Sequence, residues 1–228
     1  MPRYPYLLFD ADDTLFSFPA ANRAAFAAAC AVSGLTFSEA LLSQYEAHNS
    51  ALWRQFDRGE VSKEFLVLER FRRFFAELGI DADPRLANDV HLTALGNSAV
   101  LLPHAAEVVK TLARTHRLFV VTNAVARVQK SRLSQSEIAP YIERAFISEE
   151  IGAAKPKRAY FDYVFAHVDG ITRDNCLLVG DSLTSDILGA NEYGLRCCWF
   201  NPGHAPNPAG LHVDYEIADL RELYDIVS

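Results

Sequence analysis

The chain has 228 residues, half of them hydrophobic and 22% charged, with four cysteines and a formal net charge of −7. That length and apolar content suffice for one sizeable globular domain, or a core with a smaller insert. The acidic balance argues against a general binder of nucleic acid or membrane surfaces, so any anion site has to be built locally.

Residues 6–10 read as a first strand, an apolar run that ends in Asp10. From 17 to 97 the pattern turns helical. The stretch 17–34 is Ala-rich, with Phe18-Pro19 at its start and Gly34 at its end. Thr36 and Glu39 have capping-box spacing and predict a second helix running towards Gly59. A third is expected over 62–78, with Phe65, Leu68, Phe71, Phe75 and Leu78 near helical period and Gly79 as its stop. Asp83-Pro84 marks the start of a fourth, because proline suits the first helical turn. The segment reads as an inserted bundle of about four helices.

Beyond Pro103, helices expected at 105–115, 125–136, 158–168 and 185–193 alternate with strands at 118–122, 145–148, 176–180 and 196–200. Such alternation predicts an α/β fold, a mainly parallel sheet covered by helices on both faces. The expected domains are a core of 1–16 with 99–228 and an insert of 17–98. Residues 201–210, rich in Pro, Gly and Asn, are the nearest to a loose segment. Cys30, Cys176, Cys197 and Cys198 have no CxxC or zinc spacing and read as buried free thiols of a reducing compartment. Neither a signal-peptide pattern nor a membrane-length apolar run occurs, which predicts a cytoplasmic protein.

In sheets of this kind ligands bind outside the carboxyl ends of the strands, near the point where strand order reverses. The polar residues collect there. The first strand exits into Asp10-Ala11-Asp12-Asp13-Thr14. Asp10 and Asp12, two apart on an extended chain, project the same way. Like charges so close raise one another's pKa or call for a cation between them, and a hard ion such as Mg2+ fits; an acidic turn capping the strand is the alternative. Thr122-Asn123 follows another apolar run and precedes a helix start, a suitable phosphate seat or an ordinary helix cap. Lys155, before Pro156 and after small residues, suits a charge reaching inward from a fixed loop. Asp181 after Gly180 would meet Asp10 and Asp12 across the sheet edge and complete an oxygen-rich metal site. Asp186 would bind through water, orient its neighbours, or simply favour the helix N-terminus.

Together these residues resemble the haloacid dehalogenase (HAD) superfamily of phosphohydrolases: Asp10-Ala11-Asp12-Asp13-Thr14, the apolar run with Thr122-Asn123, Lys155-Pro156, and Gly180-Asp181 followed by Asp186. The likeness covers nearly the whole chain and implies a HAD-like Rossmannoid parallel sheet flanked by helices, with an inserted helical bundle as cap. Asp13 stands where the family usually has glycine, and aspartate tolerates the left-handed backbone that position asks for. More narrowly, Phe9 to Phe16, Leu52-Trp53, Ile147 to Gly152 and Asp186-Ile187-Leu188-Gly189 are similar to YjjG-type pyrimidine 5′-nucleotidases, with Ala124 a mismatch where that group tends to have glycine.

The resemblance implies a phosphomonoesterase acting on nucleoside 5′-monophosphates. Asp10 would be the nucleophile and Asp12 the proton carrier. Mg2+ would be held by Asp10, the Asp12 backbone carbonyl and Asp181, with Asp186 nearby, and the phosphoryl group by Thr122, Asn123 and Lys155. Asp12 argues against a dehalogenase, whose halide leaves without an acid. Lys63, where a phosphonatase would want an amine, reads as part of a solvated helix face. A sugar-phosphate phosphatase, a phosphomutase and a non-catalytic binding protein on the same scaffold are the alternatives. Tyr45, Asn49 and Trp53 recur every four residues, so they share a helix face that would either meet the nucleobase or pack the bundle. The expected partner is a small phosphate ester, with no nucleic-acid polymer or membrane, for a chain that is monomeric or dimeric.

Overall fold

The structure, a computed structural model, describes residues 2–228. Its chain divides into two compact units, one of residues up to Phe18 with Ala99–Ser228, the other Pro19–Ser98.

The first unit is a six-stranded parallel sheet built from β1 (Tyr6–Phe9), β2 (Arg117–Thr122), β3 (Arg144–Ile147), β4 (Cys176–Gly180), β5 (Arg196–Phe200) and β6 (Tyr215–Ile217). The spatial order is β3-β2-β1-β4-β5-β6. The chain leaves β1 towards one edge and later returns to β1's other side, so the order reverses at β1 and β4. Phe9 lies level with Val120 of β2 and Val179 of β4, which brings the residues following all three strands to one rim. Strand residues alternate between two cores. Leu7, Phe9, Val120 and Val179 pack with α5 (Ala105–Leu112) and α10 (Leu223–Val227). Leu8, Val121, Leu178 and Trp199 pack on the opposite face with α8 (Arg158–Ala166) and α9 (Leu188–Tyr193). Burial on both faces explains why these strands are continuous apolar runs.

The second unit holds α1 (Phe18–Val32), α2 (Glu39–Asp57), α3 (Lys63–Leu78) and α4 (Pro84–Gly96), the four expected helices. The cap of α2 is Ser38, two residues beyond the expected Thr36; its hydroxyl oxygen accepts from Leu41 N–H at 3.2 Å. Asp83 caps α4 in the same way through Arg85 N–H. In α3 the buried stripe is Leu66, Phe71, Phe74 and Phe75 together with Lys63 and Arg70, while Phe65, expected inside, is exposed.

Among the described residues, α7 (Ser148–Ile151), β6, α10 and the short 3-10 turns Ala139–Tyr141 and Leu220–Glu222 go beyond the elements expected from the sequence. The remaining helix, α6 (Ala126–Gln135), follows β2. All four cysteines are buried and free. No helix among the described residues is long and apolar enough to cross a membrane.

Candidate active site

β1 delivers Asp10 to the rim, where its backbone N–H still donates to Val179 O at 2.8 Å. The chain then turns sharply. Asp13 adopts φ 57°, the left-handed geometry expected of a glycine substitute, and its Oδ1 accepts from Phe18 N–H at 3.0 Å. A backbone bond from Asp13 N to Phe16 O, 2.8 Å, closes the turn.

Lys155 is the hub. Its side chain is 1% exposed, and Nζ donates to Asp10 Oδ1 (2.6 Å), Asp186 Oδ1 (2.6 Å) and the Val121 carbonyl (2.8 Å). Asn123 fixes the loop behind it: Nδ2 donates to Lys155 O at 2.9 Å and Oδ1 accepts from Lys155 N–H at 3.0 Å. Burial works against the ammonium, but the Asp10 and Asp186 carboxylates outweigh it and raise its pKa above the ordinary lysine value.

Asp10, Asp181 and Asp186 each offer a carboxylate oxygen within 4.8 Å of the others. Thr14 Oγ1 donates to Asp181 Oδ1 at 3.2 Å, and Trp199 Nε1 donates to the Asp181 carbonyl at 2.8 Å. Asp186 lies in a single π-helical turn, Leu183–Ile187, and the N–H of Ser182, which caps that turn, donates to its Oδ2 at 3.2 Å. Burial, with the neighbouring carboxylates, pushes Asp10 up to about 7 despite Lys155. Asp181 is driven well above the carboxylate range by burial and by the charges of Asp10 and Asp186. Three hard oxygen donors holding more negative charge than one ammonium balances are the chemistry that a Mg2+ ion satisfies.

Asp12 departs from the expected cluster. Its carboxylate pairs with Arg132 of α6, not with Asp181 or Asp10's other neighbours. The phosphate seat also differs. Thr122 is buried at the end of β2, and its Oγ1 accepts from Ala124 N–H at 3.1 Å, leaving the hydroxyl proton to donate. The side chain of Asn123 is engaged with Lys155, and the Ala126 N–H at the start of α6 already donates to Glu149 Oε2 at 2.8 Å. The sequence alone assigns no role to Thr14, Arg132 or Trp199: a threonine closing an acidic turn, an arginine on a polar helix and a strand tryptophan carry no local sign of such contacts.

The expected substrate face of α2 needs correction. Tyr45 is fully buried within the helical unit, its ring stacked on Phe26 at 4.7 Å between centroids. Asn49 is buried too, and its Oδ1 accepts from Arg70 at 3.1 Å. Only Trp53 of the three is partly exposed, edge-on to Phe56 at 5.5 Å. The apolar interior claims the first two, since α2 turns that face towards α1 and α3. Lys63, expected in solvent, is buried with its ammonium 5.4 Å from the centre of the Phe56 ring.

Residues 4–194 match the family model described as haloacid dehalogenase-like hydrolase. The chain is 35% identical to the HAD-hydrolase YfnB of Bacillus subtilis, across all of this chain and 97% of that one. A crystal structure of YfnB bound to magnesium matches with a TM-score of 0.94 over 98% of each chain. Pyrimidine 5′-nucleotidase PynA of Streptococcus pneumoniae is 32% identical over 99% of this chain and 95% of its own. Pyrimidine 5′-nucleotidase YjjG of Escherichia coli is 28% identical over 99% and 98%. On the extent of these matches, the chain belongs to the haloacid dehalogenase-like hydrolases.

Proposed function

We propose that this hydrolase cleaves phosphate monoesters through an aspartyl-phosphate on Asp10, with nucleoside 5′-monophosphates of pyrimidine bases as preferred substrates. The observation that carries the reading is the buried Asp10, gripped by Lys155 at 2.6 Å beside Asp181 and Asp186, with a second carboxylate, Asp12, held apart from them.

An Asp10 carboxylate oxygen attacks phosphorus, and the bond from phosphorus to the ester oxygen breaks. The departing oxygen takes a proton from Asp12. Asp12, now a carboxylate, removes a proton from water; the water oxygen bonds to phosphorus, the bond to Asp10 breaks, and phosphate leaves. Lys155 anchors Asp10 in line with the β1 exit, and the Thr122 hydroxyl is a donor for the transferring group. Asp10, Asp181 and Asp186, with the Asp12 backbone carbonyl, would hold Mg2+. When bound, that ion neutralises the crowded carboxylates and the phosphate charge. The base preference is supported by PynA and YjjG, both named as pyrimidine 5′-nucleotidases.

The test is a phosphate-release screen with Mg2+ over nucleoside monophosphates and sugar phosphates. Pyrimidine nucleotides are expected to lead, and Asp10→Asn to lower turnover by about 10³-fold or more. Release from sugar phosphates alone would move the substrate class. Isomerised sugar phosphate without free phosphate would mark a mutase. Near-normal turnover by Asp10→Asn would remove the proposed nucleophile.

A further inference from the structure

Arg132 lies on α6, and its side chain is 1% exposed, whereas its partner Asp12 keeps 30% of its side chain in solvent. The guanidinium carbon also sits 4.8 Å from the centre of the Phe16 ring. Phe16 is fully buried and closes the turn that begins at Asp12. One face of the guanidinium is thus set by a rigid aromatic ring, and one edge grips a carboxylate that could otherwise move. A surface ion pair between two mobile side chains would have little fixed geometry. This pair differs, because the cation is immobile and only the carboxylate reaches solvent.

Asp12 is two residues from Asp10, and Asp10, Asp181 and Asp186 already crowd one end of the sheet. Without a fixed counter-charge, a fourth carboxylate two residues from Asp10 would be free to compete for the Lys155 ammonium, the partner that Asp10 and Asp186 use. We infer that Arg132 is a positioning residue: it holds the Asp12 carboxylate clear of the three-carboxylate cluster, at the place from which Asp12 serves the leaving oxygen and then the attacking water. The inference rests on the proposed reading of Asp12 as the proton carrier.

The two claims separate by leaving group. p-Nitrophenolate departs without a proton, whereas the alkoxide of a nucleoside 5′-monophosphate does not. Wild type, Asp12→Asn, Arg132→Gln and Arg132→Lys are compared on both esters with Mg2+. For Arg132→Gln, kcat/KM on the nucleotide is expected to fall by about 10²-fold and on p-nitrophenyl phosphate by about threefold or less. Slow cleavage of the aspartyl-phosphate then shows as a burst of p-nitrophenolate ahead of reduced steady-state turnover. Arg132→Lys, which keeps the charge and loses the planar contact with Phe16, is expected to fall between Arg132→Gln and wild type. Equal losses on the two esters in the Arg132 variants, beside a split in Asp12→Asn, would make Arg132 structural and overturn the inference. No split in Asp12→Asn would remove the proton-carrier reading itself, and the inference with it. Should Arg132→Gln fail to fold, Arg132→Lys is judged by the same split.

Discussion

Asp10, Asp181 and Asp186 share the buried rim of the sheet with the single ammonium of Lys155, and that imbalance makes the fold sensitive to protons. Burial holds Asp10 at about 7, against an ordinary 3.8, and Asp181 well above the same value. Both groups bind a proton more tightly folded than unfolded. Their contribution to stability is therefore complete at low pH and is lost as pH rises through the folded value. In EDTA, the melting temperature is expected to fall from about pH 4 to pH 7 and beyond as these carboxyls ionise. Mg2+ answers the same charges, so its addition should raise the melting temperature more at pH 8 than at pH 5. A metal-free profile that rises through this range, or a Mg2+ effect larger at pH 5, would contradict the assignment. At this scale the sequence was legible where chemistry is local. Asp13 could be read as a glycine substitute because few side chains tolerate φ 57°. Arg132 could not, since Lys130, Ser131 and Gln135 around it give α6 the look of a solvated helix.

Among the elements, β4 and the π-helical turn after it depend on Gly180 having no side chain. A Cβ there would stand 2.5 Å from Asp186 Oδ2 and 2.7 Å from its Cβ, closer than real contacts permit. Gly180→Ala should displace Asp186 from both Lys155 Nζ and the Ser182 N–H. Mg2+ affinity, measured by calorimetry, is expected to drop about 10- to 100-fold with the circular-dichroism spectrum retained. Unchanged affinity would show that the turn yields without moving the carboxylate. The elements that carry the site were the easiest to foresee. β1, β2 and β4 are apolar on both faces and end in polar groups, so both their type and their exit points are written in the chain. β6 has three residues, Tyr215, Glu216 and Ile217, too few for a periodic signal, and it exists through pairing with β5. The four residues of α7 are hidden for the same reason, while Ser38 displaced Thr36 as the cap of α2 because its hydroxyl reaches the N–H three residues on.

For the molecule as a whole, two units with separate interiors mean two kinds of failure. The helical unit encloses a polar network as well as its aromatic cluster. Buried Arg70 donates to Asn49 and Asn88, each at 3.1 Å, and to His91 Nδ1 at 3.3 Å. Burial and the neighbouring Arg70 hold His91 far below its ordinary pKa, so it is neutral, and its Nε2–H donates to Asn22 Oδ1 at 2.9 Å. Asn22 passes the chain on to Glu46 Oε1 at 3.1 Å. Arg70→Met leaves several of these groups unpaired and should destabilise the helical unit by about 3–5 kcal/mol. Denaturant melts should show an early transition in helical signal, with Mg2+ binding retained until the second; a single unshifted transition would argue against it. The sheet unit is held at its rim by Lys155, which ties Asp10 after β1, Val121 in β2 and Asp186 after β4. An ammonium has three protons, and all three are engaged. A phosphoryl oxygen can therefore reach Lys155 only by exchange, and among the three acceptors Asp10 alone would surrender its charge on becoming an acyl phosphate. On the proposed reading, the Lys155 N–H that Asp10 then holds less strongly would be available to the new phosphoryl group, so bond formation at Asp10 would itself turn the lysine from holding the nucleophile to holding its cargo.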